Sequence, residues 1–173
     1  MINYKLCNMK VNNFQLSTFN SQLFIGLASD HTGFEQKEII KSHLEKRGLK
    51  YIDFGTDSVD SCDYPDYAHQ LCKAIEISEV GMGIALCGTG NGMAMTLNKY
   101  GFIRAGLAWN TDVAKLISAH NKANILVIPA RFIVQDELVM IVDAFLDTPF
   151  EGGRHLVRIN KIMSGDIILQ SRL

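Results

Sequence analysis

The sequence predicts an α/β fold: a mainly parallel, five-stranded sheet covered by helices on both faces. Three observations predict it. Short apolar runs alternate along the chain with longer segments of helical periodicity. That alternation implies crossover connections, which parallel neighbours require. A glycine-rich loop, Cys87-Gly88-Thr89-Gly90-Asn91-Gly92, joins an apolar run to a helical segment, an arrangement common at the ligand end of such sheets.

The elements follow in order. Leu23 to Ala28 is the first strand, followed by the polar loop Ser29 to Gly33. Phe34 to Arg47 carries apolar residues at Phe34, Ile39, Ile40 and Leu44 among charges, a helical stripe that Gly48 ends. Lys50 to Phe54 is the second strand. Gly55 to Asp63 is a loop, Pro65 suits a first helical turn, and Tyr67 to Ile77 is the helix. Met82 to Leu86 is the third strand and Met93 to Asn98 a short helix. Ile103 to Ala108 and Asn124 to Ile128 are the fourth and fifth strands, with helix Thr111 to Ala119 between them. Gln135 to Leu146 and the more basic Arg154 to Met163 are the last helices.

Composition narrows the class. The chain has 173 residues, of which 47% are hydrophobic and 20% charged, the profile of one globular domain. A net charge of -1 gives no reason to expect nucleic acid or a membrane surface. No apolar run approaches a membrane span. Cys7, Cys62, Cys72 and Cys87 form no CxxC pair and no zinc spacing. They read as reduced thiols in a cytoplasm. Residues 1–22 are rich in Asn and Gln, lack the apolar stretch of a signal peptide, and read as an extension of unknown structure.

Parallel α/β sheets bind ligands beyond the carboxyl ends of their strands. That rule puts Asp30, His31, Cys87 with its loop, and Asn110 on one edge. Glycines let backbone N–H groups converge on one point, and a helix N-terminus adds positive potential there. The loop therefore suits a phosphate or an anion formed during reaction; an ordinary turn with a buried Cys is the plainer reading. Asp30 and His31 read either as substrate contacts or as a helix cap and a surface residue. His120 reads as a proton-transfer group or as a helix-end His. Arg154 and Arg158 share a helical face, and Arg131 follows the fifth strand; convergent guanidinium groups suit phosphate. His43, His69 and His155 read as ordinary helical residues, and no His, Cys and carboxylate set clusters for a metal.

Taken together the motifs resemble a known family. They are Ser-Asp-His-Thr-Gly-Phe at 29–34, Asp-Tyr-Pro-Asp-Tyr-Ala at 63–68, Cys-Gly-Thr-Gly-Asn-Gly-Met at 87–93, Asn-Lys at 98–99, His-Asn at 120–121 and Phe-Glu-Gly-Gly-Arg-His at 150–155. In this order they are similar to the sugar-phosphate isomerases that include ribose-5-phosphate isomerase B and the galactose-6-phosphate and allose-6-phosphate isomerases. The resemblance covers residues 23–163 and leaves 1–22 and a tail, 164–173, outside it.

The resemblance implies a Rossmann-like three-layer α/β/α sandwich, no metal or cofactor, and a homodimer or dimer of dimers with its active site at the subunit interface. It makes Cys87 the base that takes the carbon-bound proton. Gly88, Thr89, Gly90, Asn91 and Gly92 become the anion hole, with Thr89 helping at the sugar oxygens. It makes His120 the ring-opening group. Asp30, His31, Asn121, Arg131, Arg154 and Arg158 become substrate contacts, the basic ones largely for phosphate. The implied reaction interconverts ribose 5-phosphate and ribulose 5-phosphate in the pentose phosphate pathway. A six-carbon sugar phosphate and a non-catalytic phosphosugar-binding module are the alternatives.

The chemistry explains the residue types. Aldose–ketose isomerisation moves a proton between adjacent carbons through an enediolate. Negative charge grows on the carbonyl oxygen, and losing one preorganised donor there typically costs about 3–4 kcal/mol of barrier. Cationic surroundings and helix N-termini favour the thiolate form of a cysteine. A dinucleotide-binding oxidoreductase fits less well, because Met93 stands where a third glycine belongs and the loop follows the third strand. No Gly-Lys-Ser/Thr follows the loop, so it is no P-loop. The isomerase reading expects the Cys87 sulfur to reach an opening beside the loop amides.

Overall fold

The computed structural model describes residues 24–162. The expected extension at 1–22 and tail at 164–173 lie outside the described residues, as do Leu23 and Met163. In chain order the elements are β1 (Phe24–Ser29), a 3-10 turn (His31–Gly33), α1 (Phe34–Lys46), β2 (Tyr51–Asp53), α2 (Tyr64–Glu76), β3 (Val80–Cys87), α3 (Asn91–Leu97), β4 (Ala105–Leu107), α4 (Thr111–Ala119), β5 (Ile125–Pro129), a second 3-10 turn (Ala130–Phe132), α5 (Gln135–Asp147) and α6 (Arg154–Ile162). The five strands form one all-parallel sheet in the order β2-β1-β3-β5-β4.

Side-chain alternation along the strands sorts the core into two layers. Ile25, Leu27, Ile84, Leu86, Leu126 and Ile128 face α1, α4 and α5, where they meet Ile40, Leu44, Ile117, Leu138, Ile141 and Phe145. Ala28, Ala85, Cys87, Ile125 and Val127 face α2 and α3, where they meet Ala68, Leu71, Met93 and Leu97. Leu71 of α2 packs directly onto the sheet because Gly26 and Gly83 lie beneath it; a Cβ on Gly83 would stand 2.9 Å from Leu71 Cδ2.

The predicted α/β/α sandwich is the one observed, with shifts at element ends. Pro65 lies in the first turn of α2, which begins at Tyr64 rather than Tyr67. Strand β4 is shorter than 103–108. Ile103 N–H donates to the Tyr100 carbonyl, and Arg104 N–H donates to Asn124 Oδ1, so neither N–H joins the strand ladder. Strand β3 runs further, from Val80 to Cys87, because it pairs on both sides with β1 and β5. On the outer edge of β4, Asn98 Nδ2 donates to the Ala105 carbonyl and Ala105 N–H donates to Asn98 Oδ1, each 2.9 Å.

Candidate active site

Strands β1 and β3 are neighbours, and the sheet grows away from β1 on both sides. The crevice beyond their carboxyl ends is the expected ligand position. Asp30 follows β1 and is only 5% exposed. Its Oδ1 accepts the Thr32 N–H, 2.9 Å, and the Thr32 hydroxyl, 2.5 Å, which caps the 3-10 turn. His31 Nδ1 accepts the Cys62 N–H, 3.2 Å. The neutral ring therefore carries its proton on Nε2, which is left as a donor. The Cys62 sulfur lies 3.9 Å from the same Nδ1.

Cys87 ends β3 in register with Pro129 of β5. As the last paired residue of a central strand it keeps 4% exposure, on the α2 and α3 face. The sulfur is therefore nearly enclosed, more so than the sequence led us to expect. Gly90 follows in the left-handed conformation (φ +74°) as the N-cap of α3. A Cβ there would strike Leu107 Cδ1, so glycine is needed for both conformation and space. Asn91 N–H donates to the Thr89 hydroxyl, 3.4 Å. The Tyr64 ring lies over Gly92, where a Cβ would come 2.7 Å from the phenol oxygen. Arg131 lies across Gly88: a Cβ there would stand 3.3 Å from Nε, and Arg131 N–H donates to the Gly88 carbonyl, 3.1 Å. The fold thus gathers Asp30, His31, residues 87–92 and Arg131 at one end of the sheet. Asn110 lies on that edge too, but as the N-cap of α4, its Oδ1 accepting the Val113 N–H at 2.8 Å.

The remaining predicted residues gather elsewhere. Helix α4 returns antiparallel to the strands, so His120 at its C-cap and Asn121 lie near the start of β5. Glu151 N–H donates to the Ala119 carbonyl, 3.0 Å, which brings α6 with Arg154 and Arg158 to this same end. One chain therefore carries two separate groups: the glycine-loop group at the carboxyl ends and the His120 group at the amino ends.

Sequence reasoning passed over several residues here. His155, read as an ordinary helical residue, stacks on His120 with ring centroids 4.1 Å apart and planes 9° from parallel. Glu151 Oε2 lies 3.5 Å from His120 Nε2 and 3.6 Å from His155 Nε2. The expectation that no His and carboxylate set clusters is thus corrected, since ligand atoms of His120, Glu151 and His155 fall within 4.8 Å of one another. The parallel rings direct their nitrogen lone pairs along parallel planes instead of toward a shared ion, which suits metal coordination poorly. His43 and His69 also have partners: Asp143 Oδ1 at 2.7 Å and the Tyr100 hydroxyl at 2.7 Å. Tyr64 and Cys62 were missed as well, although Tyr64 lies within the 63–68 motif and Cys62 borders it. A cleft of about 480 Å³ runs along β4, lined by Asn98, Tyr100, Arg104, Ile117, Asn121 and Ile159. It includes Asn121 but neither Cys87 nor His120.

Known proteins share this sequence and fold. The family model described as Ribose/Galactose Isomerase matches residues 25–162. A probable ribose-5-phosphate isomerase B of Mycoplasma pneumoniae is 43% identical over 141 residues, 81% of this chain and 93% of that protein. The ribose-5-phosphate isomerase B of Escherichia coli is 41% identical over 138 residues, 80% and 93% of the two chains. A crystal structure of a ribose 5-phosphate isomerase from Thermotoga maritima superposes with a TM-score of 0.80 at 48% identity, covering 83% of this chain and 99% of that one. The Mycoplasma genitalium ribose-5-phosphate isomerase B with bound ribulose 5-phosphate gives 0.79 at 39% identity, covering 84% and 97%. With the family model spanning nearly all of the described fold, this chain belongs to the ribose/galactose isomerase family.

Proposed function

We propose that the chain is an aldose–ketose isomerase that interconverts ribose 5-phosphate and ribulose 5-phosphate. The observation that carries this is the thiol of Cys87 at a strand end beside a left-handed glycine loop, in a family whose relatives bear that name. His120 opens the furanose ring. Cys87 then moves a proton between C1 and C2, while the Gly88 to Gly92 amides meet the charge on the enediolate oxygen. Thr89 assists at the sugar oxygens. Asp30, His31 and Asn121 hold hydroxyls, His31 donating through Nε2. Arg131, Arg154 and Arg158 take the phosphate, which supplies remote binding energy to fix the reacting carbons. No cofactor is required for this proton transfer.

The same proposal includes a homodimer, or a dimer of dimers, with each active site between subunits. Its support is the separation of the two residue groups in one chain. Base and ring-opening group must both reach one small sugar, so a second copy has to supply one of them. Among the described residues no helix is long and apolar enough to cross a membrane. We place the enzyme in the cytoplasm, without nucleic-acid partners.

Ketose formation from ribose 5-phosphate, run beside allose 6-phosphate and galactose 6-phosphate, tests the substrate. Cys87→Ala should lose nearly all turnover while still binding the sugar phosphate. Retained turnover in that variant removes Cys87 as the base, and faster turnover of a six-carbon substrate changes the assignment to that sugar.

A further inference from the structure

Glu151 and His155 have no part in the reaction as described so far, yet the backbone is shaped to place them. Gly152 (φ +71°) and Gly153 (φ +53°) are consecutive left-handed residues. Only glycine takes two such steps at little cost. The reversal lets Glu151 N–H reach the Ala119 carbonyl and His155 N–H the Gly152 carbonyl, each 3.0 Å. It leaves the His155 ring stacked on His120 and the Glu151 carboxylate opposite both Nε2 atoms.

The two rings differ in what they can do. The His120 side chain is 34% exposed and that of His155 only 7%. Arg154 Nε–H donates to His155 Nε2 at 3.4 Å, so the neutral His155 carries its proton on Nδ1. Burial, followed by the facing His120 and Arg154 charges with Arg158 behind them, holds His155 below the usual imidazole range; Glu151 only partly opposes this. Two imidazolium rings stacked this closely repel, so the pair carries at most one positive charge. His120 is the ring exposed enough to meet a substrate.

We propose that Glu151 and His155 are positioning residues for His120: the inner ring fixes the plane of the outer one, and the carboxylate set against the outer ring's Nε2 fixes the direction of that nitrogen. This rests on the reading of His120 as the ring-opening group. In that step the bond between C1 and the ring oxygen breaks and its electron pair goes to the ring oxygen. That oxygen takes the His120 proton. The anomeric hydroxyl releases its own proton to water as its lone pair closes the aldehyde C=O, and solvent reprotonates His120.

Ribulose 5-phosphate is acyclic, so exchange of its C1 hydrogen with solvent needs the enediolate but not ring opening. The experiment compares turnover of ribose 5-phosphate with solvent-deuterium exchange into ribulose 5-phosphate, read by NMR. His120→Asn, as reference, should lose turnover about a hundredfold while keeping exchange. Glu151→Gln should lose about tenfold in kcat, with KM nearly unchanged and exchange retained. His155→Leu should match it, and His155→Phe, which keeps a flat ring to stack on, should recover most of the loss. Turnover at the unmodified level in Glu151→Gln overturns the proposal, as does exchange that falls in step with turnover. If His120→Asn itself shows no split between turnover and exchange, the ring-opening assignment fails, and the proposal with it.

Discussion

Mixed dimers of Cys87→Ala and His120→Asn chains test whether one active site draws on two copies. In the sheet Cys87 pairs with Pro129 and Gly83 with Ile125. At about 3.3 Å per residue, these four steps separate the two ends by about 13 Å. His120 lies beyond Ile125, past the turn that ends α4. Groups acting on neighbouring atoms of one sugar must each approach to about 3–3.5 Å. The separation is several times that distance, and both residues are anchored on packed elements. In a mixed dimer with shared sites, one site collects both substitutions and the other collects neither. Each homodimer variant should be nearly inactive, while co-expressed, differently tagged and doubly purified mixed dimers should show about half the activity of unmodified dimers. The assay is ketose formation from ribose 5-phosphate per mole of dimer. Mixed dimers as inactive as either parent would refute the reasoning and return Cys87 and His120 to sites within single chains.

Other outcomes follow from single contacts. Arg158→Ala should raise KM for ribose 5-phosphate more than it lowers kcat, and unchanged affinity in a binding titration contradicts the phosphate role. Gly90→Ala places a Cβ at φ +74° against Leu107 and should cost at least about 1 kcal/mol in urea denaturation; an unshifted midpoint counts against it. Burial pushes the Cys72 thiol up to about 11 from 9.0. A raised value means the stabilisation is complete below the unfolded value and lost as pH climbs from about 9 through about 11. Cys72→Ala should remove that part of the alkaline loss measured by denaturation. At neutral pH iodoacetamide should label half-buried Cys62 and spare fully buried Cys72 in the folded protein; mass mapping that finds Cys72 labelled first contradicts this.

The alternation of strands and helices was legible because each apolar run is short and each helix carries its stripe on one face. Strand β4 was overextended because Ile103 looks like a strand residue, while its N–H is committed to a turn that only the fold reveals. The glycine-loop group was legible for a local reason: Cys87 to Gly92 are contiguous, and Asp30 and His31 follow the neighbouring strand. Glu151 and His155 were not. Their meaning comes from a chain reversal that brings α6 against the end of α4, and nothing in the spacing of Ala119 and Glu151 announces that contact. The near-enclosure of Cys87 was hidden too, because sequence shows a strand's end but not how far its neighbours cover it.

Asn98 has an effect that reaches past the single subunit. Its carboxamide imitates a peptide group and occupies the outward-facing donor and acceptor of Ala105. A strand from another molecule arriving at this border finds the place already taken. Copies of this protein are thereby steered away from joining backbone to backbone along β4 into a continuous ribbon. At Ala105 a neighbouring subunit meets a side chain instead of open backbone, and side chains can be specific where a bare strand would accept almost any sequence.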